Sequence, residues 1–220
     1  MPTFVLIHGA ADTAWYWHLL TGELQGRGHA VVAMDLPCDD DSAGLTEYAD
    51  VVIDSIGNRT DLIVVAQSFG GFTAPLVCDR VPVTQLVLLA AMIPTPGERP
   101  GDWWANTGYE QAVDGSSEDD DPIAIFMQDA PAAIAAEALR RTRDQSATPM
   151  GEPWPLKKWP DVSTKVLACR RDRMFPLEFI RRIAHDRLGI TPDEIDGDHS
   201  IALSHPRELA ERLNAYAAEL

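Results

Sequence analysis

The sequence predicts an α/β fold: a mostly parallel sheet of about six strands with helices on both faces. Two observations carry this. Short β-branched runs alternate with longer stretches of helical spacing, which is the pattern of a sheet sandwiched between helices. The 220 residues, 45% hydrophobic and 24% charged, have the length and composition of one ordinary domain with a sizeable core.

The strands are placed at Phe4 to Ile7, Ala30 to Met34, Leu62 to Ala66, Gln85 to Leu89 and Lys165 to Cys169, with a weaker one near Thr191 to Ile195. Helices fall between them at about Trp15 to Arg27, Leu45 to Ile56, Phe69 to Arg80, Pro176 to Leu188 and Pro206 to Ala218. Pro206 follows His205, a candidate N-cap, and a first helical turn tolerates proline. The rhythm breaks once. Residues 94 to 160 offer no convincing strand, are rich in Pro, Gly, Trp and acid, and contain one strong helix at Pro131 to Arg143. An insertion of this length between strands is usually functional, so 94–160 is expected to form a small helical cap on a single domain spanning 1–220.

Charge excludes several partners. With 18 Lys+Arg against 34 Asp+Glu the net charge is −16. Nucleic acid needs clustered cations to displace counterions, and an anionic membrane surface would repel this chain. Residues 98 to 155 hold 12 acidic and 4 basic side chains, a net of −8, so half the net negative charge sits in that stretch. The run Glu118-Asp119-Asp120-Asp121 reads first as a solvated loop, with a metal or basic-partner site as the alternative. The longest nearly uncharged stretch, Thr84 to Pro96, is shorter than the roughly 20 residues of a spanning helix and contains two prolines. The N-terminus lacks a basic leader region and reads as a strand, so no secretory signal is expected. Cys38, Cys78 and Cys169 are odd in number and lack C-x-x-C spacing, which favours reduced thiols in a cytoplasmic protein.

The most informative segment is Leu62-Ile63-Val64-Val65-Ala66-Gln67-Ser68-Phe69-Gly70-Gly71. A buried strand runs straight into a helix, with small residues two before and two after Ser68. Such an abrupt turn strains its apex residue and excludes bulky neighbours at those two positions, so Ser68 should project from the carboxyl edge of the sheet as a nucleophile. The alternative is a serine that only caps the helix. A serine hydroxyl requires a base, and the base an orienting carboxylate. Asp172 stands at the exit of the strand ending at Cys169, and His199 in the turn Asp196-Gly197-Asp198-His199-Ser200. Their separation of 27 positions leaves room for one helix and one strand. His205 competes with His199, and Asp196 and Asp198 with Asp172. His8, His18, His29 and His185 read as structural or surface histidines. The backbone amides of Phe69 and of Ala10, in the loop His8-Gly9-Ala10-Ala11-Asp12, are the candidate oxyanion donors.

Together these residues resemble the α/β-hydrolase superfamily, and within it the branch holding plant methylesterases, hydroxynitrile lyases and bacterial esterase homologues. The resemblance runs through Phe4 to Ala10, Ala14-Trp15-Tyr16-Trp17, Met34-Asp35-Leu36-Pro37, the Ser68 turn, Asp172 and Asp198-His199. It implies a cofactor-free serine hydrolase with a lid at 94–160; no metal is expected, and the expected substrate is a neutral or weakly polar carboxylic ester of small to medium size. The lyases resembling this chain carry threonine where Gly9 stands and lysine where Ser200 stands, so both departures point to the esterase. Trp103, Trp104 and Phe126 are expected as pocket walls, and the protein as a monomer or homodimer. A receptor-like binding protein, a lyase and a perhydrolase on the same triad are the alternatives. A dinucleotide site is disfavoured because His8-Gly9-Ala10-Ala11-Asp12-Thr13 has one glycine of the three that the fingerprint needs.

Overall fold

The computed structural model describes residues 1–113 and 121–220. In chain order it contains β1 (Thr3–Ile7), a 3-10 turn (Ala14–Trp17), α1 (His18–Gly26), β2 (Ala30–Ala33), α2 (Leu45–Ile56), β3 (Leu62–Ser68), α3 (Gly70–Arg80) and β4 (Gln85–Ala91). Five short helices follow: α4 (Pro100–Asn106), α5 (Tyr109–Ala112), α6 (Pro122–Phe126), α7 (Ala132–Arg141) and α8 (Thr148–Gly151). The chain closes with β5 (Ser163–Cys169), α9 (Leu177–Leu188), β6 (Asp193–Ile195), α10 (Ile201–Ser204) and α11 (Pro206–Ala218). Of the acidic run, residues 118 to 120 lie outside the described residues.

The six strands form one sheet in the order β2-β1-β3-β4-β5-β6, parallel at every pairing. The expected parallel sheet is therefore present, and among the described residues it carries no antiparallel member. Its strands are apolar throughout because both faces are covered. Along β3, Leu62, Val64 and Ala66 join one core cluster with α2, α3 and α9, while Ile63 and Val65 join the other with α1 and α11. Successive strand side chains point to opposite faces, so one continuous run serves both cores.

Departures from the expected boundaries have local causes. The helix read at Trp15 to Arg27 is split, because Trp17 (φ −92°, ψ 0°) interrupts it between the 3-10 turn and α1. β6 starts at Asp193 rather than Thr191, since Pro192 has no N–H for the ladder. β3 extends to Ser68 through a register shift at Gln67/Ser68 that pairs Ser68 with Ala91. The four-residue α10 after His199 had no counterpart in the sequence reading.

The strand order reverses between β1 and β3: from β1 the sheet proceeds outward to β2 on one side and to β3 and β4 on the other. Ligands of open parallel sheets sit beyond the carboxyl ends of the strands at such a switch point. The loops leaving β1 and β3 are His8 to Asp12 and the Ser68 turn. Chain order and sheet order thus bring the two candidate segments together.

The segment between β4 and β5 is rooted by a buried ion pair. Arg187 of α9 donates from Nη2 to Glu98 Oε1 at 2.8 Å and from Nη1 to Glu98 Oε2 at 2.5 Å and to the Ile93 carbonyl, with the two side chains 10% and 3% exposed. Asn106 of α4 adds a bond to Glu98 Oε1 at 3.0 Å. Removing one member of such a pair strands a buried charge. Arg187→Met is expected to lower the unfolding free energy by roughly 3 kcal/mol in urea titration; a loss under about 1 kcal/mol would show the anchor to be dispensable.

Candidate active site

Ser68 sits at φ +51°, a left-handed conformation that costs a non-glycine residue on the order of 1 kcal/mol and needs support from its surroundings. The support is steric. A Cβ on Gly71 would stand 1.9 Å from the Met92 carbonyl oxygen, and one on Gly70 2.9 Å from that of His8, so α3 starts in direct contact with the strand ends beside it. From the other side, a Cβ on Gly9 would stand 2.6 Å from Gln67 Oε1 and 3.0 Å from Ser68 Cβ. The β1 loop is pressed against the serine.

His199 and Asp172 meet as a buried pair. Asp172 Oδ2 accepts from His199 Nδ1 at 2.8 Å, and its Oδ1 accepts the Phe175 N–H at 2.8 Å. Both side chains are buried, at 5% and 1% exposure. This bond assigns the Nδ1 proton and leaves Nε2 as the ring acceptor. Phe126 and Phe175 flank the imidazole at centroid distances of 5.6 and 5.1 Å. Gln67 Nε2 donates to the His199 carbonyl at 3.3 Å, tying the histidine turn to the end of β3.

The competing candidates are engaged elsewhere. Asp198 accepts from the Asp129 N–H (2.9 Å) and the Ser204 hydroxyl (2.7 Å), and burial pushes its carboxyl up. Asp196 pairs with Arg170 at 3.1 Å, and His205 contacts Ser204 Oγ at 3.0 Å as it leads into α11.

Ser68 and His199 border one cavity of about 490 Å³, together with Gly9, Ala10, Asp12 and Phe69. The volume suits a small-molecule ligand. Ala10 and Phe69 are therefore both at the cavity beside Ser68, where the expected oxyanion donors belong. Among the expected walls, Trp104 and Phe126 border it. Trp103 does not. Its ring is fully buried against Phe175 and Phe179, and Nε1 donates to the Ile93 carbonyl at 3.1 Å. Adjacent residues on a helix point about 100° apart, so only one tryptophan of the pair can face the cavity.

Several positioning residues were not legible from motifs. The segment after α7 clamps the β1 loop: Gln145 Oε1 accepts the Ala11 N–H at 3.1 Å, and the Arg143 N–H donates to the Ala11 carbonyl at 2.8 Å. Ala11 itself is left-handed, at φ +58°. Arg143 also reaches the Leu36 carbonyl at 2.8 Å and pairs with Asp39. Nothing in the local pattern of Arg143 or Gln145 signals contacts more than 100 positions away. His8 proves structural, as expected, and central: Nδ1 donates to the Gly9 carbonyl (2.8 Å) and Nε2 accepts the Leu36 N–H (3.0 Å).

Comparison with known proteins places the chain. A family described as "Alpha/beta hydrolase family" matches residues 4–212. Norfluorocurarine synthase 1 of Strychnos sp is 23% identical across 97% of this chain and 94% of its own length. Methylesterase 7 of Arabidopsis thaliana is 35% identical over 41% of this chain and 40% of its own. Among solved structures, an extracellular alpha/beta-hydrolase from a Paenibacillus species, described as sharing structural and functional homology with Tobacco Salicylic Acid Binding Protein 2, superposes with a TM-score of 0.81 at 25% identity, covering 98% of each chain. Polyneuridine aldehyde esterase gives a TM-score of 0.83 at 22% identity over 99% of each.

Burial pushes His8 down from 6.5 to about 4, against the opposing pull of the Gly9 carbonyl and Asp35. A histidine lowered on folding is neutral in the fold. Its contribution, about 3 kcal/mol in full, is intact above pH 6.5 and lost as pH falls towards 4. The stability difference between the wild type and His8→Asn should therefore shrink across that interval in urea titrations at stepped pH. Parallel pH profiles would contradict the assignment. Gln145→Ala, by removing the acceptor of the Ala11 N–H, is expected to lower the unfolding free energy by about 1 kcal/mol in urea titration; an unchanged value would remove Gln145 from the support of that turn.

Proposed function

The chain belongs to the alpha/beta hydrolase family, and on that footing we propose that it is a carboxylic ester hydrolase working through a serine acyl-enzyme. We read 1–220 as one such domain with 94–160 as its cap. The observation that carries the proposal is the left-handed Ser68 sharing one cavity with a buried His199–Asp172 pair. The relatives with esterase and methylesterase names support the substrate class: a small to medium ester.

In this scheme His199 Nε2 takes the proton as Ser68 Oγ attacks the carbonyl carbon. Asp172 holds the imidazole in the required tautomer and stabilises it when protonated. The amides of Ala10 and Phe69 stabilise the negative charge that develops on the carbonyl oxygen. Neither N–H is used in a turn or loop hydrogen bond among the described residues. The imidazolium then protonates the departing alcohol, and His199 activates water to release the acid. No step of this route calls for a metal or an organic cofactor.

Gly9 supports hydrolysis over cyanohydrin cleavage. The threonine of the resembling lyases would bring its Cβ against Gln67 Oε1 and Ser68 Cβ, so the loop here would have to shift to take it.

Ser68→Ala is expected to lower turnover of 4-nitrophenyl acetate by at least about 10³-fold, and Asp172→Asn by about 10³- to 10⁴-fold. A fluorophosphonate should label wild-type Ser68 and fail on the alanine variant, read by intact-protein mass spectrometry. A folded wild type that takes no label would turn the reading to a binding protein on the hydrolase scaffold.

A further inference from the structure

We propose that the cavity above Ser68 selects esters carrying an alkylammonium group, and that Asp12 is the residue that selects them. The proposal deepens the hydrolase reading and rests on it. Asp12 follows the expected oxyanion residue Ala10 by two positions and borders the cavity. One carboxyl oxygen, Oδ1, accepts the Thr13 N–H at 2.8 Å.

No cation answers the carboxylate. Among the described residues, no Lys or Arg borders the cavity and the carboxyl has no salt-bridge partner within 4.0 Å. Arg143, whose backbone holds the same loop, directs its guanidinium to the Leu36 carbonyl and Asp39 instead. The charged neighbour that acts on Asp12 is Asp35, of like sign. Burial and Asp35 raise the carboxyl from 3.8 to about 6, against the Thr13 N–H. Ionisation is thus penalised in the empty cavity, and a ligand cation would relieve the penalty.

The surrounding walls fit the same group. Tyr16, Phe69, Trp104 and Phe126 line the cavity with aromatic surface, which attracts alkylammonium ions. A carboxylate beside an oxyanion hole also opposes the charge that develops in catalysis. A cationic substrate offsets that opposition, so the preference should extend from binding into turnover.

The test uses acetylcholine and 3,3-dimethylbutyl acetate, which share size and shape and differ by one charge. At pH 7 the wild type is expected to favour the cationic ester about tenfold in kcat/KM. In Asp12→Asn, which keeps an oxygen for the Thr13 N–H, the ratio should fall to near one; Asp12→Ser serves should that variant fold poorly. Calorimetric binding of the same two esters to Ser68→Ala should show the same order. A ratio near one in the wild type, or a ratio that survives both Asp12 substitutions, overturns the proposal. Absence of turnover together with absence of fluorophosphonate labelling would sink the hydrolase reading alone. The binding ratio on Ser68→Ala would still decide the ammonium selectivity, and failure of acetylcholine to bind counts against it.

Discussion

The constraint on which the site depends is the strained turn at Ser68. Its positive φ is held by contacts that leave no room for even a methyl group: α3 against the carbonyls of His8 and Met92, and the Gly9 backbone against Ser68. Left-handed serine is unfavourable by itself, so the surrounding sheet must over-determine it. The sheet does so because β1 and β3, both interior strands, are buried on both faces and pair along Thr3↔Leu62 to Ile7↔Ala66. The stability of the core is thus converted into the orientation of one hydroxyl.

The segment between β4 and β5 completes what the sheet begins. It does more than roof the cavity, since the Gln145 side chain and the Arg143 backbone fix the Ala11 turn, and the Phe126 carbonyl accepts the Ser200 N–H beside His199 at 3.0 Å. The loop expected to supply one oxyanion donor and the turn carrying His199 are both held by that segment. A displacement of that segment would therefore alter the site as well as the cavity wall. Its root at Glu98–Arg187 is buried, while pairs such as Glu137 with Arg140 and Arg141 are largely exposed and contribute little.

The parts of this architecture that were legible in the sequence are those written in local pattern. Strands β1 and β3 to β5 show as apolar runs, helices α2 and α11 as periodic segments, and the Ser68 turn as small residues bracketing a serine between a strand and a helix. Asp172 and His199 followed from chain order and their place at strand exits. The structure brings those two together, with Ser68 on the same cavity. What was illegible is long-range or directional. Trp103 and Trp104 are chemically the same and adjacent, yet one packs in the core and the other borders the cavity, a difference set by helix phase. Gln145, Arg143 and the buried role of His8 depend on which loops the fold brings close.

The uneven charge takes on a sharper meaning at the site. The net −16 disfavours polyanionic partners by bulk argument alone, yet bulk charge says nothing about a cavity lined mostly by apolar and aromatic side chains. There the local groups decide. His8 and Asp12 lie four positions apart on the same loop, and burial moves both towards neutrality: His8 down to about 4 and Asp12 up to about 6. The outcomes differ because their partners differ. The imidazole has a donor and an acceptor that satisfy its neutral form, so it can remain uncharged at no further cost. The carboxyl has one N–H and a like-charged neighbour, so near neutral pH it remains largely ionised and incompletely answered. A half-buried charge without a counterion carries a cost in the fold, and the cost is relieved when a ligand supplies the missing charge.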